Sequence, residues 1–157
     1  MYALEAGNLA PAMQRLEQRP LPPRELRITI RYSDWWFWEH SAPLRISDEW
    51  HQRFRAPAAV ERVVLELETR WGKRDELLVI VRRQVLAWRF LSADKDAEFV
   101  FARSSESSWL GSTRPGGQYY QHHWPSANGV LVEGSNQMKY CIVRLEWEKK
   151  QKSELTQ

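Results

Sequence analysis

Asp34 and Glu39 bracket the run Trp35-Trp36-Phe37-Trp38. A carboxyl pressed against indole rings loses hydration and is pushed toward its protonated form, as in the general acids of glycoside hydrolysis. Acidic residues five apart are common, however, and capping a turn or pairing with arginine is their ordinary use. His122-His123, with Cys141, His40 or His51, supply the atom types of a zinc site. Yet adjacent histidines on an extended segment point opposite ways, and no Cys-x-x-Cys or His-x-x-x-His spacing is present. Cys141 itself falls in an apolar alternation that predicts a buried, inert thiol. Ser104-Ser105-Glu106-Ser107-Ser108 offers hydroxyls without a nucleophile elbow. The stretch 111–117, Gly-Ser-Thr-Arg-Pro-Gly-Gly, lacks the lysine of a phosphate-cradling loop, and Pro115 forbids the helix such a loop needs. No catalytic residue, metal ligand set or cofactor motif emerges.

Aromatic side chains are what the chain has in excess: nine tryptophans in 157 residues. Alternation along a strand would put Trp35 and Phe37 on one face and Trp36 and Trp38 on the other. Burying both faces requires a layer of structure on each side; otherwise one face serves a ligand or partner. Trp109, Tyr119, Tyr120 and Trp124 lie in a serine- and glycine-rich stretch, 104–129, that predicts a long irregular loop. The bland reading makes these rings core. The functional one makes them a stacking platform.

Composition is that of an ordinary folded domain, with 43% hydrophobic and 27% charged residues. One cysteine excludes an internal disulfide framework. The sequence shows neither an apolar run long enough for a membrane helix nor a secretory h-region, so a cytoplasmic or nuclear location is expected. Net charge is +3, and arginine outnumbers lysine 17 to 6. Guanidinium groups suit bidentate carboxylate pairing and stacking on indole.

The elements that must position these residues follow from periodicity. Residues 9–18 predict a short amphipathic helix, with Leu9, Met13 and Leu16 on one face. Leu26, Ile28, Ile30 and Tyr32 alternate with Arg27, Thr29 and Arg31, a half-buried strand that the tryptophan run would continue after a bend. Ser47-Asp48-Glu49 starts a helix expected to reach Arg55. Val63, Leu65, Leu67 and Thr69 define a second strand whose outward Glu66 and Glu68 complement the first strand's arginines. Residues 73–89 carry Leu77, Leu78, Val81, Val85 and Trp88 on one helical stripe, with Val79 and Leu86 on the back; Leu77 to Val81 alone would also suit a buried strand, and the length of the periodic run favours the helix. A short strand, 98–103, comes next. Beyond the loop, 130–133 and 138–148 predict a hairpin, with Cys141, Val143, Leu145 and Trp147 inward.

The strands beginning at Leu26 and Val63 are 37 residues apart and share an apolar-x-apolar-x-apolar pattern. With Tyr32-Ser33-Asp34-Trp35-Trp36 and Leu65-Glu66-Leu67-Glu68-Thr69-Arg70, residues 21–90 resemble the later repeats of fungal leucine-rich-repeat and F-box-like proteins. That resemblance implies parallel strands, crossover helices and a partner-binding role without catalysis. Pro23 stands at the pattern's first leucine position, and Arg31 and Glu68 at its asparagine.

The expected fold is therefore α+β: a mixed or antiparallel sheet of about five strands, packed by one main and two short helices. Residues 1–148 form one domain and 149–157 a frayed charged tail. The leading functional expectation is a non-catalytic module that binds a protein partner, without cofactor, through Trp35, Trp36, Trp38, Trp109, Tyr119, Tyr120 and Trp124, supported by Arg27 and Arg31. A second is nucleic-acid or carbohydrate binding by aromatic stacking with arginine support. A third is a small hydrolase using Asp34 or Glu39.

Overall fold

The computed structural model describes residues 13–35, 40, 42–47, 51–52, 54–112 and 137–154. Six strands form one sheet in the order β1-β3-β6-β5-β4-β2, one more than expected. They are β1 (Glu25–Ile30), β2 (Arg55–Ala56), β3 (Arg62–Arg70), β4 (Phe90–Ser92), β5 (Ala97–Ser112) and β6 (Gln137–Gln151). One main helix, α1 (Arg74–Arg83), packs on the inner face, and residues 13–17 and 51–52 are helical as well. The fold is α+β with a mostly sheet core.

Alternation dictates which face is dry. On β6, Cys141, Val143, Leu145 and Trp147 are buried on the inner face, opposite Thr69, Leu67, Leu65 and Val63 of β3. β1 lies on the far side of β3 and runs parallel to it, with Leu26 beside Val63 and Ile28 beside Leu65. The register offset thus equals the 37-residue spacing of the sequence pattern. Beyond β3 the parallel run ends, because β6 is antiparallel to it. Leu77 and Val81, one turn apart on α1, seal this face. Asp75 and Glu76 in its first turn and Arg82 and Arg83 in its last suit the helix dipole.

Trp147 is the centre of the aromatic core. It is fully buried, its ring meets the edge of Phe90 at 4.8 Å, and its Nε1–H donates to the Trp88 carbonyl at 2.8 Å. That bond satisfies the one polar atom that would otherwise make burial of an indole costly.

Several predicted elements differ, the main helix among them: expected over 73–89, it ends at Arg83, and a separate 3-10 turn follows at Val85–Ala87. The strand of β1 stops at Ile30, and a 3-10 turn at Tyr32–Asp34 replaces its continuation into the tryptophan run. Asp34 fixes that turn by accepting the Arg31 N–H at 2.8 Å. The helix expected to reach Arg55 ends earlier, since Arg55 and Ala56 pair with β4. The serine-rich stretch is no loop as far as Ser112: it is the outer half of β5, which pairs with β6 along its length. Residues 130–133 lie outside the described residues. β6 continues through Gln151, so Lys149 and Lys150 belong to the ladder and not to a loose tail.

A register shift between Phe101 and Arg103 explains why this arm defied its pattern. Before it, Ala97, Phe99 and Phe101 share the face of Trp147; after it, Ser104, Glu106 and Ser108 take over that face. One extra residue exchanges the two sides of a strand.

Candidate functional site

Where β5 and β6 run out past α1, the outer face of the sheet carries an aromatic cluster rather than charges. Trp109 pairs with Tyr140 across the ladder, and their rings stack with centroids 5.0 Å apart and planes 21° from parallel. The Trp109 ring lies over Gly111, two residues on and on the same face. A Cβ at Gly111 would come within 2.6 Å of that ring and 2.9 Å of the Tyr140 ring. Glycine is required here for close approach.

Glu68 of β3 ties the cluster together. Its carboxylate accepts the Trp109 Nε1–H at 3.1 Å and the Tyr32 N–H at 3.2 Å, while its carbonyl accepts the Trp35 Nε1–H at 2.7 Å. Tyr32 meets Tyr140 edge-on at 6.2 Å, and the Arg70 guanidinium sits 5.0 Å over the Tyr32 ring. Burial, with the Glu68 charge behind it, raises the Tyr140 phenol above its ordinary value, so it stays a neutral hydrogen-bonding group. Within this cluster Trp109 alone is substantially open, at 45% exposure, and its neighbour Leu110 on the opposite face is 49% exposed.

The inner face at the same end is polar. Arg74 grips both carboxylate oxygens of Glu106, which holds that carboxyl below its ordinary range. The Cys141 thiol lies 3.7 Å from Glu106, and desolvation, reinforced by that charge, pushes it up to about 11. It is protonated at neutral pH and inert, as its place in the alternation predicted. Lys139 caps the Trp71 ring at 3.4 Å.

The rest of the outer face is a quilt of opposite charges. Arg103 and Arg144 bond Glu146 at 2.8 and 2.9 Å, Arg144 also reaches Glu66, and Arg27 pairs with Glu25 and Glu66. The arginine–glutamate complementarity expected between the first two strands is present. At the far end, a cleft of about 970 Å³ is lined by Arg24, Glu61, Arg62, Glu148 and Lys149, again of mixed sign.

The predicted site residues thus divide. Trp109 is exposed, with one ring face against Tyr140 and its N–H bonded to Glu68. Trp35 is 2% exposed and belongs to the core, so it offers no contact surface. Arg27 is committed to carboxylates, and Arg31 is exposed beside the Asp34 turn. Trp36, Trp38, Glu39, Tyr119, Tyr120, His122, His123 and Trp124 lie outside the described residues. Glu68, Gly111 and Tyr140 were not among the expected site residues. For Gly111 the signal in the sequence is Trp-x-Gly near a strand end, an aromatic side chain shielding the bare backbone of a glycine; Glu68 and Tyr140 carry none. No family model, curated protein or solved structure matches the chain.

Proposed function

We propose that the protein is a non-catalytic interaction module that binds a protein partner at the outer end of β5, with Trp109 as anchor. The observation that carries this reading is an indole both exposed and immobilised. Tyr140 supports one face, Glu68 fixes the N–H, and Gly111 gives the ring its bed. An anchor already held in its binding geometry loses little entropy on association, and tryptophan leads the residue types at energetic centres of interfaces.

A phosphate ligand has less in its favour. Of the outward arginines, Arg27, Arg103 and Arg144 are matched by Glu25, Glu66 and Glu146, so an incoming anion would have to displace carboxylates already bonded there. Asp34 is spent on a backbone N–H and faces solvent, which suits a turn cap better than an acid catalyst.

Affinity capture from a native cell extract, repeated with Trp109→Ala and Arg27→Ala, tests the reading. Loss of the anchor should cost about 2 kcal/mol, roughly thirtyfold in affinity. Arg27→Ala should leave capture unchanged. Capture insensitive to Trp109→Ala ends this assignment.

A further inference from the structure

Building on that reading, we infer that the partner at this surface is a second copy of the chain, joined edge to edge along β5 so that two six-stranded sheets become one. The opportunity is a long edge beside which the described residues place no strand. β4 covers β5 only at Glu98 and Phe99. From there to Ser112 no strand among the described residues lies on its outer side, and residues 102–110 are all exposed.

Sheet edges are normally guarded by lysine, proline or projecting charge. Between Ala102 and Ser112 there is neither lysine nor proline. The two charges in the stretch are drawn back onto their own subunit, Arg103 to Glu146 and Glu106 to Arg74.

Self-complementarity selects the occupant. Ser104-Ser105-Glu106-Ser107-Ser108 reads the same in both directions, so an antiparallel pair with its two-fold axis at Glu106 sets small hydroxyl residues opposite one another. With the axis through Glu106, Ser104 faces Ser108 of the partner subunit and Ser105 faces Ser107 of the partner subunit. Small hydroxyl pairs of this kind favour cross-strand contact.

One step further out, Arg103 faces Trp109 of the partner subunit, and the reverse contact forms by symmetry. The ladder with β6 puts both residues on the outer face, Arg103 beside Glu146 and Trp109 beside Tyr140, so guanidinium and indole meet on the same side. The anchor thereby gains a cation on its open side.

At the axis two Glu106 carboxylates face each other, which alone would be repulsive. Each arrives already bonded by Arg74, so the axis holds two carboxylates and two guanidinium groups with no net charge. The nine paired residues give a seam roughly 30 Å long.

Sedimentation and light scattering of the full chain across a micromolar-to-millimolar series should show a species of twice 18.6 kDa that grows with concentration. Ser105→Lys combined with Ser107→Lys places four ammonium groups around the axis and should weaken association roughly a hundredfold. Both sites are exposed, so circular dichroism should be unchanged. Mixing that variant with Ser105→Glu/Ser107→Glu should restore a dimer of one subunit each. A wild type monomeric throughout overturns the inference. A dimer indifferent to the lysines, or variants that fail to pair on mixing, overturns it equally. A monomer that still captures a different protein through Trp109 would remove this inference and leave the interaction reading standing.

Discussion

Glu146 is a nearly buried carboxylate on an otherwise wet face, and its neighbours explain how it stays charged there. The Arg103 hydrogen bond, helped by Arg144, holds its carboxyl below the ordinary carboxylate range against the opposing pull of burial. A carboxyl depressed by folding stabilises the protein above its unfolded-state value, about 4.3, and that contribution is lost as pH falls through the folded-state value. Thermal unfolding midpoints should therefore drop on acidification below about pH 4, and Glu146→Gln should flatten that acid limb while costing about 1 kcal/mol at neutral pH. An unchanged acid limb would mean that Glu146 is not among the groups responsible. Gly111→Ala tests the aromatic cluster at the same scale. The new methyl displaces Trp109 or crowds the buried Tyr140, so stability should fall by about 1–3 kcal/mol and the indole emission should shift. A variant of wild-type stability with unaltered emission would show that the ring does not need its glycine bed.

At the scale of elements, β5 separates what the residues announce from what they conceal. β1, β3 and β6 were legible because their apolar residues recur every second position and their neighbours demand that register. The helix α1 was legible from its stripe of Leu77 and Val81. The outer half of β5 was not, because serine and glycine carry no apolar signal and the shift at Ala102 breaks the alternation. Its strand form is imposed by β6, whose own pattern is strong, and by the Arg74–Glu106 bond. The candidate site was half legible for the same reason: Trp109 is conspicuous as a residue type, while Glu68 and Tyr140 matter only once three strands are side by side. Amide exchange makes the distinction measurable. In dilute protein, alternate amides from Arg103 to Leu110 should exchange fast, since only every second one faces β6. Uniform protection along that stretch at low concentration would show a covered edge.

For the molecule as a whole, the order of strands in space differs sharply from their order in the chain. β6 lies between β3 and β5, and its partners on β3 are 70 to 86 residues earlier in sequence. It supplies Trp147, Leu145, Val143 and Cys141 to the interior and Glu146 and Arg144 to the charged quilt, so both faces of the sheet depend on it. Contacts so distant in sequence make folding slow by topology. They also make it late. β6 is the last of the six strands to leave the ribosome, and until it emerges β3 and β5 each hold an unoccupied inner edge lined with Val63, Leu65, Leu67 and Phe99. A nascent chain in that condition is greasy and adhesive, the kind of client that holding chaperones collect. The strand that locks the sheet thus also sets the moment at which the newborn protein can be let go.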